Sequence, residues 1–120
     1  MLPKEHRLRS SRDFGVVFAH ARTYVDTLFI LKVLRTSGEK SSRIGFSTST
    51  KLGKAVIRNR AKRRLREAVR LLGDRLRQKG FDAVLIARPP IRDANMDDIK
   101  RAVDVLFRKA GVLENQAMSD

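Results

Sequence analysis

The sequence predicts a single α+β domain, a small sheet packed with helices in the order α-β-β-α-β-α. Three observations carry this expectation. The chain has 120 residues, of which 42% are hydrophobic, enough for one domain with one core. Three segments repeat apolar residues at the three-to-four spacing of a helix. Three others are short apolar runs bounded by turn residues or prolines, as strands are.

Residues 1–10 are basic and lack periodicity, which predicts an irregular arm. Ser10 or Ser11 can cap a first helix, with Asp13 favoured in its first turn by the helix dipole. Phe14, Val17, Phe18 and Ala21 follow at helical spacing. Residues 27–35 read as a strand, Ser37-Gly38-Glu39-Lys40 as a turn and residues 43–50 as a second strand, which together predict an antiparallel pair. Ile57, Ala61, Leu65, Ala68, Val69 and Leu72 mark a long helix that Gly73 stops, and residues 74–79 suit a further short helical segment. Residues 82–88 form a third strand, ended by Pro89-Pro90. Asn95 caps a last helix with Ile99, Val103, Leu106, Phe107 and Ala110 as its apolar stripe. Gly111 ends that helix, and residues 112–120 are expected to fray.

The formal net charge is +14, and +10 of it falls within residues 51–80. Charge concentrated in this way repels itself and calls for a polyanionic partner. A membrane surface is one polyanion, but the basic region is not a simple apolar-faced surface helix, which favours nucleic acid. No apolar run approaches the ~20 residues of a membrane span. The first residues lack the apolar core of a secretory signal. The absence of cysteine excludes disulfides, thiolate metal sites and cysteine nucleophiles, and fits a cytoplasmic protein.

Residues 51–66 read KLGKAVIRNRAKRRLR, in which eight of sixteen are Lys or Arg and none is acidic. At ~100° per residue the apolar positions fall on one side of the helix. Arg63, Arg66 and Arg70 cluster opposite, with Lys62 at their edge and Arg60 and Arg64 at the other border. Such a helix buries one face and offers guanidinium forks that match phosphate oxygens two at a time. Arg58 and Arg60 in its first turn are unfavourable beside the positive helix end, a cost that a merely solvated basic face does not explain.

Arg58-Asn59-Arg60, then Lys62-Arg63 and Arg66-Glu67, resemble the signature of the bacterial ribonuclease P protein family. Lys51-Leu52-Gly53-Lys54-Ala55-Val56 is similar to that family's lead-in. The resemblance extends to Arg43-Ile44-Gly45-Phe46-Ser47-Thr48-Ser49, to Arg12-Asp13-Phe14 with Phe18, and to Val84-Leu85-Ile86-Ala87-Arg88-Pro89, covering roughly residues 7–110 in order. It implies a protein subunit that assists a catalytic RNA in removing the 5′ leader from precursor tRNA, broadens substrate recognition and lowers magnesium demand. It implies that magnesium is held mainly by the RNA subunit, and the isolated protein is expected to be inert. It also implies a left-handed β-α-β crossover, against the usual hand, and one protein per RNA subunit. The residues implied to dock on that RNA are Lys51, Lys54, Arg58, Asn59, Arg60, Lys62, Arg63, Arg66 and Arg70. A separate cleft between the first helix and the sheet is implied to hold the single-stranded leader, with Arg12, Phe14, Phe18, Lys32, Ser47, Ser49 and Arg88 as its residues.

The chemistry of that cleft is sensible in itself. Arg43, Gly45, Ser47 and Ser49 share one face of the second strand, small and polar, and Phe14 and Phe18 stand one turn apart, where bases can stack. Two Phe at that spacing also suit a core, and Arg88 suits either a phosphate or solvent. The sequence departs from the family pattern at Lys32, where an aromatic residue is frequent, and at Thr50, where a Lys is frequent.

Two other functional classes fit the sequence less well. A protein-only nuclease lacks support, because His6 and His20 have no partners at metal-ligand spacing and Asp97-Asp98 suits a helix start. A structural RNA-binding module fits the composition equally well; the joint presence of the Arg-Asn-Arg helix and the aromatic first helix discriminates against it.

Overall fold

The computed structural model describes residues 4–114. A 3-10 turn at Lys4–His6 leads into helix α1 (Ser11–His20), strands β1 (Arg22–Val25), β2 (Phe29–Arg35) and β3 (Arg43–Thr48), helix α2 (Ala55–Arg70), strand β4 (Phe81–Ala87) and helix α3 (Met96–Ala110). Short 3-10 turns at Thr50–Leu52, Gly73–Arg75 and Pro89–Asp93 connect them. The α+β class and the three helices are as the sequence predicts; the sheet differs.

The sheet is four-stranded and mixed, in the order β1-β2-β4-β3. The expected antiparallel pairing of residues 27–35 with 43–50 does not occur. Instead β4 lies between them, antiparallel to β2 and parallel to β3. β4 is the reason: Phe81 to Leu85 are all buried, the pattern of a strand with neighbours on both sides. The turn cluster at residues 37–40 therefore spans a strand rather than closing a tight hairpin. The parallel pair β3 and β4 is joined through α2 as a β-α-β crossover. The unanticipated strand β1 is a four-residue edge, mostly exposed, with no apolar alternation to announce it.

Helix ends follow local chemistry. The Ser10 hydroxyl accepts from the backbone N–H groups of Arg12 and Asp13, and the Asn95 side chain accepts from Asp98 N–H at 2.8 Å. Gly111 closes α3 in the left-handed conformation at φ 73°. The further helical segment expected over residues 74–79 reduces to Gly73–Arg75. After it Leu76 pairs with Leu113, so the chain there serves as an extended staple.

The sheet buries its two faces unequally. On one face Phe29, Leu31, Val33, Ala83, Leu85 and Ile44 meet the apolar stripes of α2 and α3 in the main core. Phe29, Phe81 and Phe107 are fully buried there, and truncating any of them to Ala costs roughly 3–5 kcal/mol. On the other face α1 and the end of the arm pack, through a small cluster of Leu8, Val17 and Val84. The arm expected to be irregular is docked at residues 7 and 8: Leu8 is buried and its N–H donates to Ile44 O at 3.0 Å. Val112 and Leu113 are likewise buried rather than frayed, since they cover the end of the α2–α3 core. The first three residues of the arm and residues 115–120 of the expected tail lie outside the described residues.

Candidate RNA-binding surfaces

Helix α2 divides its residues as its sequence period demands. Ala61, Leu65, Ala68 and Val69 are buried, while Asn59, Arg60, Arg63 and Arg70 are exposed. Its first turn has no acidic residue, and its N-cap, Lys54, makes no side-chain capping bond. The orphan N–H groups there stand among Lys51, Lys54 and Arg58, an arrangement that favours an anion. Arg58 is half-buried and donates to Gly53 O at 3.4 Å. Arg66, also half-buried, sets its guanidinium over the Phe46 ring at 5.1 Å from the centroid. Lys62 is half-buried between the two faces.

Two further arginines of the helix are engaged within the protein. Arg70 grips Glu67 through Nε and Nη2, which holds the Glu67 carboxyl below its usual range and raises the Arg70 guanidinium. Arg64, which composition cannot distinguish from Arg63, turns inward and donates to Ile91 O at 3.3 Å and Ala94 O at 2.5 Å. Burial, and then the charge of Arg60, lower its pKa. Arg64 fastens α2 to the turn at Pro89–Asp93, and no sequence signal marks that role.

The second surface lies on the opposite side of the sheet. The strand register sets Thr23, Lys32, Val84 and Gly45 in one row, and Val25, Ile30, Ile86 and Ser47 in the next. Helix α1 crosses β2 and β4 and covers only part of these rows. Val25 is 61% exposed, and Ile30, Lys32, Ile86 and Ser47 remain half-buried. Phe18 is 42% exposed at the border of this open floor. Its neighbour Phe14 lies 6.2 Å away between ring centroids, with the rings tilted by 47°. Phe14 is half-buried over Gly45, where a Cβ would come within 2.5 Å of its Cζ, so the glycine makes room for the ring. Phe14 and Phe18 thus stand together on α1, beside a sheet face that α1 covers only in part.

The other candidate cleft residues take individual places. Lys32 Nζ donates to Thr23 Oγ1 at 2.9 Å, at the floor's edge. Ser49 lies past the end of β3, where its hydroxyl accepts from Lys51 N–H and caps the following turn. Arg88 donates to Asp26 O at 2.8 Å and so braces the β1–β2 connection. Arg12 is exposed on α1. The structure thus gathers Phe14, Phe18, Lys32 and Ser47 around the floor, while Ser49 and Arg88 hold its end.

The sequence places Arg43 on the cleft face of its strand but does not show that it fixes the cleft. Arg43 binds the buried carboxylate of Asp82 through Nε at 3.1 Å and Nη2 at 2.8 Å, and its Nη1 binds Asp13 of α1 at 2.9 Å. Asp82 above all, then Asp13, raises the Arg43 pKa against the opposing effect of burial. The three-way pair ties α1 to the β3–β4 ladder. Its signal was an Asp inside an otherwise apolar strand, which needs a partner.

Among the described residues no three His, Asp or Glu side chains gather as a metal site. No helix among the described residues is long and apolar enough to cross a membrane.

The sequence and fold of the chain are similar to those of known proteins. The ribonuclease P family model matches residues 2–111. The chain is 43% identical over 115 residues to the ribonuclease P protein component of Symbiobacterium thermophilum, covering 96% of this chain and 99% of the relative. It is 38% identical over 109 residues to that of Clostridium botulinum strain Langeland, covering 91% and 97%. Among solved structures, the RNase P protein of Staphylococcus aureus superposes with a TM-score of 0.80 at 26% identity, covering 92% of this chain and all of that one. The protein from Thermotoga maritima superposes with a TM-score of 0.72 at 29% identity, covering 85% and 96%.

Proposed function

Since this chain belongs to the ribonuclease P protein family, RNA-binding proteins that act with an RNA subunit in tRNA 5′ processing, we propose that it performs that task by dividing two RNAs between the two sides of its sheet. The solvent ridge of α2, with Lys51, Lys54, Arg58, Asn59, Arg60, Lys62, Arg63 and Arg66, docks on the RNA subunit. The cleft between α1 and the open sheet floor holds the single-stranded 5′ leader of precursor tRNA. The carrying observation is the outward ridge of Arg60, Arg63 and Arg66 on a helix with no acid in its first turn. A solvated surface gains nothing from that concentration of like charge, whereas a phosphate backbone compensates it and releases counterions.

In this reading the catalyst is the RNA subunit, one protein binds one RNA, and the assembly works in the cytoplasm. Magnesium supplies charge neutralisation at the cleavage site and is held by the RNA. Among the described residues no three acidic or histidine side chains gather to hold it, and Asp13 and Asp82 are committed to Arg43, Glu67 to Arg70, and Asp104 to Arg75. The protein's own contribution is cationic surface beside the RNA and stacking surface for the leader, so it lowers the magnesium needed for cleavage. Titrating magnesium with ribonuclease P RNA and precursor tRNA, with and without the protein, tests this. The expected result is cleavage at the mature 5′ end at clearly lower magnesium with the protein present, and none by the protein alone. An unchanged magnesium requirement, or leader removal by the purified protein, contradicts it.

A further inference from the structure

We propose that a notch at the free edge of β3 holds one unpaired nucleotide of the RNA subunit, apart from the phosphates that α2 engages. This inference rests on the docking role of α2 and extends it. Strand β3 is an outer strand of the sheet, and among the described residues the arm pairs with its edge at Ile44, through Arg7 and the Leu8 N–H bond. Beside that pairing lies a cavity of about 340 Å³, within the roughly 300–1,000 Å³ range of small-ligand pockets. Phe14 of α1 and Arg66 of α2 close it from the two sides of the sheet, Arg7 and Arg9 approach from the arm, and Ile44 and Phe46 line the strand.

The lining has the chemistry of an unstacked base with its phosphate. Two aromatic rings and two aliphatic side chains give apolar surface, three guanidinium groups give charge, and no carboxylate lines the cavity. Recognition of splayed-out RNA bases uses this combination of aromatic faces and arginine planes. Arg66 rests one face on Phe46, which fixes the plane of its donors. Arg7 Nε is buried with no hydrogen-bond partner among the described residues, a cost that an acceptor on the nucleotide removes. Buried Leu8 anchors the arm between the two arginines, so both are held at the notch.

Position assigns the nucleotide to the RNA subunit rather than to the leader. Arg66 belongs to the α2 ridge, so the notch continues the docking surface. Phe14 stands between the notch and the open floor of the cleft, with its ring over Gly45.

The chain has no cysteine, so Arg9→Cys gives a single attachment point for a photo-crosslinker on the full-length protein. In the holoenzyme with bound precursor tRNA, this probe is expected to crosslink to one short unpaired stretch of the RNA subunit. A probe on Phe18→Cys is expected to crosslink to the leader. Without a probe, Arg7→Ala with Arg9→Ala is expected to weaken RNA-subunit binding by roughly tenfold, the scale of one lost stacked base, and to leave the ratio of precursor to mature tRNA affinity unchanged. Crosslinking of the Arg9 probe to the leader, or to neither RNA, overturns the assignment, as does full RNA-subunit affinity in the arm variant. Full affinity in a variant lacking Arg58, Arg60, Lys62, Arg63 and Arg66 overturns the docking reading beneath it, and the notch with it.

Discussion

Arg63 and Arg64 are adjacent, identical in type and opposite in use. Arg63 faces solvent on α2, whereas Arg64 donates to the carbonyls of Ile91 and Ala94. Arg64→Ala leaves two part-buried carbonyls short of a donor and is expected to cost about 2 kcal/mol of stability, with the RNA-subunit affinity of the folded protein nearly unchanged. Arg63→Ala is expected to do the reverse. Urea unfolding and RNA binding on both variants check this. Arg43→Ala strands the buried Asp82 carboxylate and is expected to cost about 3 kcal/mol. Adding Asp82→Ala removes the stranded charge, so the double variant should be more stable than Arg43→Ala alone by the same unfolding assay. At this scale the sequence was partly legible. The helical period sets Arg63 opposite the apolar stripe and Arg64 at its border, but it does not show that Arg64 turns inward, because that depends on carbonyls some 27 residues away. Ser49 and Arg88 show the same limit: each was readable as polar and near the cleft, and each is occupied by a backbone partner.

Helix α2 was the most legible element, because one period fixes both its buried stripe and its basic ridge. Replacing Arg58, Arg60, Lys62, Arg63 and Arg66 together with neutral residues removes up to five phosphate contacts. Each contact contributes roughly 0.9 to the slope of log affinity against log salt on duplex-like RNA. The variant should therefore bind the RNA subunit more weakly and with a shallower salt slope than wild type; equal slopes would place the ridge in solvent. The strands were less legible. Strand β1 has four residues and no alternation, so it forms only because β2 offers it an edge. The placement of β4 between β2 and β3 is a long-range pairing, decided by which strand can be buried on both faces. Local turn residues at 37–40 carry no information about it.

The molecule as a whole uses the sheet as a partition. α2 and α3 fill one face and leave the α2 ridge outside, while α1 covers the other face only in part and leaves a floor beside Phe18. That division was only partly readable in advance, because it follows from the strand order. The central claim is that the two sides engage different RNAs, and one comparison tests it most directly. RNA-subunit affinity, and the ratio of precursor to mature tRNA affinity in the assembled holoenzyme, are measured for wild type, Phe18→Ala and the five-fold α2 variant. Phe18 is exposed enough that its loss spares the core. Phe18→Ala is predicted to lower the precursor-to-mature ratio by the ~1–3 kcal/mol of a stacked base and to leave RNA-subunit affinity intact. The α2 variant is predicted to lose RNA-subunit affinity and, once saturated with RNA, to keep the wild-type ratio. Parallel changes in both quantities for both variants would contradict the partition.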